Sequence, residues 1–440
     1  MQPYHKQFAP ILQKLQIEAL NEMQLATIEA SQHANDIVLL SPTGTGKTLA
    51  FLLPLLAGLE EKNSDVQAVI LSPTRELAMQ IESVFRDMKT VHKVTCCYGG
   101  HPMRVEKQNL IEPPALLIAT PGRLKDHLKR EHIDISKTNL LVLDEFDKSL
   151  EFGFQDDMDF LIKKMPALKK RILTSATEAI KIPNFVGLNK PDRLQFMPKK
   201  SDIKKLEVKI VQSPEKDKLN TLAQLICNLE PGAMIVFCNH REAVERVGEY
   251  LFDNDIVIDY FHGGLEQNER EKTLVKFRNG SVQILISTDL AARGLDIPDI
   301  KYIVHYHLPS TGDAYTHRNG RTARMDAKGS AFIILHEEEN IPEYVEGDPK
   351  VFYLKEMAAP PAPEWETLFI GKGKKDKINK VDIVGFLFKQ GGLNKDEVGL
   401  IEVKDFFSYV AIKRNKIKGV LNKIKNEKIK GKKAKMEIAR

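Results

Sequence analysis

Apolar residues in this chain fall in short unbroken runs, DIVLL (36–40), QAVILS (67–72), ALLIAT (115–120), NLLVLDE (139–145) and RILTSAT (171–177), separated by stretches of helical spacing. Strands that read as unbroken rather than alternating are buried on both faces, so the rhythm predicts βαβ units and a parallel sheet covered by helices. From about residue 205 the rhythm restarts with AMIVFCN (233–239), VIDYFHG (257–263), VQILIST (282–288), YIVHYHLP (302–309) and SAFIILH (330–336), predicting a second sheet of the same kind. The stretch MAAPPAPEWE (357–366) reads as a stiff Pro-rich linker. Beyond it TLFIGKG, KVDIVGFLFKQ, GLIEVKD, FSYVAIKR, KIKGVLNKIKN and KAKMEIAR read as strand, helix, strand, strand, helix, strand. The predicted class is α/β, with parallel-sheet domains at 1–200 and 205–355, a linker at 356–366 and a small α+β domain at 367–440.

Composition adds to this picture mainly through charge. The 440 residues exceed one hydrophobic core, and 42% apolar content suffices for globular folding. Cys96, Cys97, Cys227 and Cys238 show no paired metal-ligand spacing and read as thiols of a reducing compartment. The start, MQPYHKQF, lacks the apolar core of a signal peptide, and the longest apolar stretch, near FLLPLLAGL, is too short to span a membrane. A cytoplasmic protein without membrane contact is expected. The net charge of +5 hides an asymmetry: residues 367–440 carry 20 Lys and Arg against 8 Asp and Glu, a net of +12, which leaves −7 for the rest. A merely solvated face accounts less well for +12 in 74 residues than a nucleic-acid partner does.

DIVLLSPTGTGKT runs from a strand through a Gly-bearing loop into the apolar helix LAFLLPLLAGL. Such a loop, here Thr43, Gly44, Thr45 and Gly46, points backbone N–H groups and a helix N-terminus at phosphate oxygens. Lys47 then reaches the β and γ phosphates, and Thr48 offers a hydroxyl to Mg²⁺; Ser41 stands where the general pattern has Gly. About a hundred residues later Asp144 ends the apolar run LLVL, expected on a neighbouring strand, placed to hold Mg²⁺ while Glu145 polarises the attacking water. The bland alternative is that these acids cap a helix starting near Lys148.

At this point the chain resembles the DEAD-box RNA helicases, with a last domain similar to the RNA-binding domain of the DbpA group. PTREL (73–77), GG (99–100), TPGR (120–123), SAT (175–177), QNER (267–270), STDLAARGLD (287–296) and HRNGRTAR (317–324) occur in the family's order, a set far more specific than any single member. The resemblance implies two tandem RecA-like domains, ATP and Mg²⁺ as cofactors, and RNA as partner of a monomer. It places Gln24 on the adenine edge, Asp296 at the ribose, Arg321 and Arg324 as arginine fingers, and Ser175 and Thr177 as the coupling between hydrolysis and strand separation. It makes Arg75, Gly99, Gly100, Thr120, Gly122, Arg123, Gln267, Arg270 and Thr288 contacts to the RNA backbone.

Some positions depart from the family. DEAD reads DEFD here, with Phe146, HRIGRTGR reads HRNGRTAR, with Asn319 and Ala323, and Ile17 stands near the place of an adenine-stacking aromatic. His305 and His307 read as ordinary strand residues. The strand order of the tail is that of an RRM-like fold, and Phe407 and Tyr409 share one face by period two. They are expected either to stack on bases or to cover a core or interface. The function implied is an RNA-stimulated ATPase that unwinds or remodels structured RNA, in particular ribosomal RNA during large-subunit assembly. A general cold-shock-type RNA chaperone and an ATP-gated RNA clamp are the alternatives.

Overall fold

The computed structural model describes residues 3–42, 44–177, 181–197, 206–289, 300–322 and 329–439. The chain forms two compact units. The first holds seven parallel strands, β1 (Asp36–Leu40), β2 (Ala68–Leu71), β3 (Val94–Cys97), β4 (Leu116–Ala119), β5 (Leu140–Leu143), β6 (Lys170–Ser175) and β7 (Asp192–Gln195), in the order β3-β4-β2-β5-β6-β1-β7. Successive residues of one strand serve opposite cores. Ile37, Ile70, Val142 and Ile172 pack on one face, while Val38, Leu71, Leu141 and Leu173 pack on the other. Burial on both faces is why the strands read as unbroken apolar runs. β5 does not lie next to β1 as expected: β6 stands between them.

The second unit begins with another parallel sheet, β8 (Leu206–Ser213), β9 (Met234–Cys238), β10 (Ile258–Phe261), β11 (Ile284–Thr288), β12 (Tyr302–His305), β13 (Gly329–His336) and β14 (Lys350–Val351), in the order β10-β11-β9-β12-β13-β8-β14. The strands of these two sheets that the apolar rhythm did not announce, β3, β7, β8 and β14, lie at or next to sheet edges, where polar residues such as those of DRLQ remain solvated.

The same unit ends in a four-stranded antiparallel sheet built from β15 (Trp365–Ile370), β16 (Val398–Val403), β17 (Ser408–Lys413) and, after a short hairpin of β18 (Lys428–Ile429) and β19 (Lys432–Lys433), β20 (Met436–Ile438). Helices Lys380–Lys389 and Arg414–Ile424 cover one face, packing Ile383, Leu387, Ile417 and Val420 onto Leu368, Ile370, Val410 and Ile412. β15 opens at Trp365, inside the stretch expected as linker, and the Arg414 guanidinium donates to the Pro363 carbonyl at 2.6 Å. Among the described residues no helix is long and apolar enough to cross a membrane.

Candidate nucleotide and RNA sites

The phosphate loop is shaped by two glycines in the left-handed region, Gly44 (φ +83°) and Gly46 (φ +92°). The backbone angle at Gly46 demands glycine, and a Cβ there, 2.6 Å from Gln24 Nε2, would also push the Gln24 amide aside. Gly46 caps helix Lys47–Ala57 without any side-chain acceptor, so the positive end of the helix is presented by its backbone N–H groups. Lys47 Nζ donates to the Ser41 carbonyl at 2.6 Å, and Ser41 Oγ lies 2.8 Å from Thr45 Oγ1. The hydroxyl of Ser41 thus braces the loop across four residues. Gln24, expected on the adenine edge, donates from Nε2 to Gly46 O at 3.2 Å and accepts the Asn21 N–H at 3.0 Å, which ties helix Glu22–His33 to the loop. Thr43 lies outside the described residues.

The inserted strand β6 organises the acid pair. Thr174 Oγ1 donates to Asp144 Oδ1 and accepts the Glu145 N–H at 3.1 Å. The next residue, Ser175, accepts the Ser41 N–H on its carbonyl at 3.0 Å, linking the acid pair to the phosphate loop through one strand. Ser175 Oγ accepts the Thr177 N–H at 3.0 Å, and Thr177 Oγ1 reaches Asp147 Oδ2 at 3.5 Å. Glu145 is held at φ +45°, a strained angle for a non-glycine residue, and its side chain does not cap helix Phe146–Glu151. Helix capping therefore does not explain the acids. Burial, and after it the charge of Glu145, push the Asp144 carboxyl up to about 6. Two buried carboxylates side by side form a hard-oxygen donor set suited to a divalent cation, which would relieve that repulsion. Phe146 is fully buried in the core beneath the pair.

A second cluster forms beyond the C-terminal ends of β2, β4 and β3, which are adjacent in the sheet. Arg75 opens helix Arg75–Asp87, capped by Thr74, and a Cβ at Gly99 would stand 3.3 Å from Arg75 NH2. Gly100 has φ +87°. Thr120 N–H donates to Cys97 O at 3.1 Å at the start of helix Pro121–Lys129, which carries Gly122 and Arg123. Glu106, which no motif announced, accepts from Arg123 Nε at 2.6 Å and from His127 Nε2 at 2.7 Å. Cys97, Glu106 and His127 bring sulfur, oxygen and nitrogen within 4.8 Å of one another. The Arg123 guanidinium on that carboxylate already supplies the positive charge a metal ion would bring, so the trio reads as an ion-paired hub.

Comparison with known proteins decides what this arrangement belongs to. The DEAD/DEAH box helicase model matches residues 21–184, the helicase conserved C-terminal domain 217–326 and the DbpA RNA binding domain 367–438. The ATP-dependent RNA helicase DbpA of Escherichia coli (strain K12) is 32% identical over 97% of this chain and 98% of its own. The protein of the same name from Bacillus subtilis (strain 168) is 30% identical over 95% and 94%. The chain belongs to the DEAD-box RNA helicases. Its activity is RNA-stimulated ATP hydrolysis with helicase action. A structure of Mss116p bound to single-stranded RNA and AMP-PNP is similar in fold, with a TM-score of 0.67 and 27% identity over 76% of this chain and 73% of that one.

In the helicase's second unit, Gln267 and Arg270 lie in the first turn of helix Gln267–Arg278, with the Arg270 guanidinium 5.1 Å from the Phe261 ring centre, and Thr288 ends β11. Arg321 follows helix Gly312–Asn319 and is buried. Asp296 and Arg324 lie outside the described residues. Arg318, which the motifs did not single out, is a buried brace: Nε and NH2 donate to the two oxygens of Asp289 at 2.5 and 2.7 Å, and NH2 and NH1 to Asn239 Oδ1 and His307 O at 2.8 and 2.6 Å. It joins HRNGRTAR to STDL as Thr174 joins the acid pair. The departure Asn319 is partnered by buried His305, with Oδ1 3.0 Å from Nε2.

The tail's aromatic pair requires a correction. Tyr409, only 5% exposed, packs with Val275 and Ala439, and Phe369 and Phe407 close over the same contact. Arg278 Nε and NH2 donate to the two oxygens of Glu402 at 2.9 Å each, and Asn279 Nδ2 donates to Thr367 Oγ1 at 2.9 Å. The C-terminal end of helix Gln267–Arg278 therefore grips the small domain. Period two placed Phe407 and Tyr409 on one face, and of the two roles expected for that face the packing shows the interface: it meets the second RecA-like domain, with Tyr409 buried and Phe407 half-buried.

Proposed function

We propose that this helicase acts on structured ribosomal RNA during large-subunit assembly, as a cytoplasmic monomer using ATP with Mg²⁺. The carrying observation is the C-terminal domain: it matches the DbpA RNA binding domain, holds a net +12, and is gripped by the helix whose first turn bears Gln267 and Arg270. RNA held by the tail would lie a fixed distance from those two residues. Phe406, 62% exposed beside Lys404, replaces Phe407 and Tyr409 as the aromatic able to stack on a base.

In this reading Gly44, Thr45, Gly46 and Lys47 hold the phosphates, with Thr43 in the same loop. Thr48 and Asp144 would hold Mg²⁺, which supplies charge neutralisation on the phosphates when bound. Glu145 orients water, Gln24 braces the loop beside the adenine, and Asp296 meets the ribose. Arg321 and Arg324 stabilise charge developing on the γ-phosphate. Ser175 and Thr177 carry the state of the nucleotide outward. Arg75, Gly99, Gly100, Thr120, Gly122, Arg123, Gln267, Arg270 and Thr288 contact RNA phosphate and sugar, which carry no sequence information.

The test is ATP turnover by the full chain against a large-subunit RNA fragment bearing a hairpin beside a duplex, and against poly(U), at matched salt. Half-maximal stimulation at a far lower concentration of the ribosomal fragment is expected. Equal stimulation by both would move the general chaperone ahead.

A further inference from the structure

Glu106 lies on helix Met103–Leu110 with 1% of its side chain exposed. A buried carboxylate persists only when its oxygens are matched by donors and charge. Oε2 accepts from Arg123 Nε at 2.6 Å and His127 Nε2 at 2.7 Å. Oε1 accepts the Tyr98 N–H at 3.0 Å, with His101 Nδ1 3.4 Å away. Burial acts to raise this carboxyl, but the nearby His101 ring and the hydrogen bonds from His127, Arg123 and the Tyr98 backbone hold it down at about 2.

The partners distinguish this hub from an ordinary core ion pair. Tyr98 directly precedes Gly99 and Gly100, Arg123 closes TPGR, and Gly99 lies against the Arg75 guanidinium. One carboxylate thus connects the segments that follow β3 and β4, and Gly99 brings the first of them against Arg75, which follows β2. Arg123 is anchored twice, through Nε to Glu106 and through NH2 to the His101 carbonyl, which fixes the plane of its guanidinium.

We propose that Glu106 is a positioning residue for RNA: it orients Arg123 and the Gly99–Gly100 loop so that their phosphate-binding groups are already placed before RNA arrives. It touches no RNA itself. The inference rests on the reading that Arg123 and this loop contact RNA. Preorganisation of this kind lowers the ordering cost of binding and leaves the chemical step alone.

The experiment uses the full chain and measures KM for RNA, KM for ATP and kcat at saturating RNA. Glu106→Gln keeps the shape but removes the charge that holds Arg123. A rise of about tenfold in KM for RNA is expected, the scale of one charge-assisted hydrogen bond, with KM for ATP and kcat within about twofold. Glu106→Asp, which keeps the charge, should recover part of the RNA affinity. Because Glu106 acts through Arg123, Glu106→Gln should add nothing to Arg123→Gln in the double variant. General destabilisation would instead lower kcat with the active fraction and leave both KM values in place.

An unchanged KM for RNA in Glu106→Gln, or independent effects in the double variant, overturns the proposal. If Arg123→Gln also leaves KM for RNA unchanged, the RNA-contact reading has failed; if it raises KM while Glu106→Gln does not, only the positioning role has. A variant-free measurement covers the case of poor folding. The Arg123 Nε–H should be protected from exchange in the RNA-free wild-type protein, and rapid exchange would sink the proposal.

Discussion

Asp144 shows how single residues here answer to burial before they answer to chemistry. Its carboxyl is raised from the ordinary 3.8 to about 6, chiefly by desolvation. A folded value above the unfolded one means that the protonated form favours the fold; this contribution is complete below pH 3.8 and is lost as pH rises through 6. Cation binding needs the ionised form. Apparent Mg²⁺ affinity should therefore fall about tenfold per pH unit below 6 and level off above it, measured by titration of the nucleotide-bound protein between pH 5 and 8. A flat profile would remove Asp144 from the metal site. Phe146 follows the same logic. From sequence, Phe146→Ala restores the family's small residue and is expected to keep ATP hydrolysis, because Asp144 and Glu145 keep their places at the strand end. The side chain is in fact fully buried in the core. The substitution should cost about 3–5 kcal/mol of stability, read as a lower denaturant midpoint, while ATP turnover of the folded fraction at low temperature persists. An unchanged midpoint would mean that the core closes over the gap.

At the scale of elements, helix Gln267–Arg278 does two tasks, with Gln267 and Arg270 at one end and Val275 and Arg278 at the other. Val275→Asp would bury a charge against Tyr409 and should release the small domain from the helix. The protein's single tryptophan, Trp365, opens β15 and lies 3.5 Å from the Cβ position of Gly280. Its fluorescence should shift to the red in Val275→Asp, and stimulation by the ribosomal fragment should approach that by poly(U). An unshifted spectrum would show that the Arg278–Glu402 pair and the Asn279–Thr367 bond hold the domain without the apolar contact. β6 is the corresponding element of the first unit: one strand carries Thr174 to the acid pair and Ser175 to the phosphate loop.

For the whole molecule, the division of charge governs behaviour. With +12 in residues 367–440 and −7 elsewhere, RNA affinity should be concentrated in the tail and be electrostatic. The logarithm of RNA affinity should fall linearly with the logarithm of salt concentration, with a slope of about −0.7 per phosphate met on single strands. Reversing exposed tail lysines, for example Lys418→Glu with Lys433→Glu, should flatten that slope and leave ATP affinity unchanged. An unaltered slope would move the electrostatic contacts to the parallel-sheet domains.

The unbroken apolar runs determined the two parallel sheets because burial on both faces is written into each strand separately. The loop at 41–48 and the ordered motifs were legible for a similar reason: backbone angles and residue types within a few positions carry them. The position of β6 between β5 and β1 was not legible, since strand order depends on crossovers rather than on any strand's own pattern. Glu106 sits in the charged stretch RVEKQNL, where nothing local separates it from its neighbours; the approach of Arg123 and His127 from helix Pro121–Lys129 gives it its charged and ring partners. Phe407 and Tyr409 mark the boundary most clearly. Their alternation states that they share a face, because side-chain direction follows from the local backbone. What lies opposite that face, Val275 on a helix more than a hundred residues earlier, is decided by packing between distant segments and by nothing within the strand.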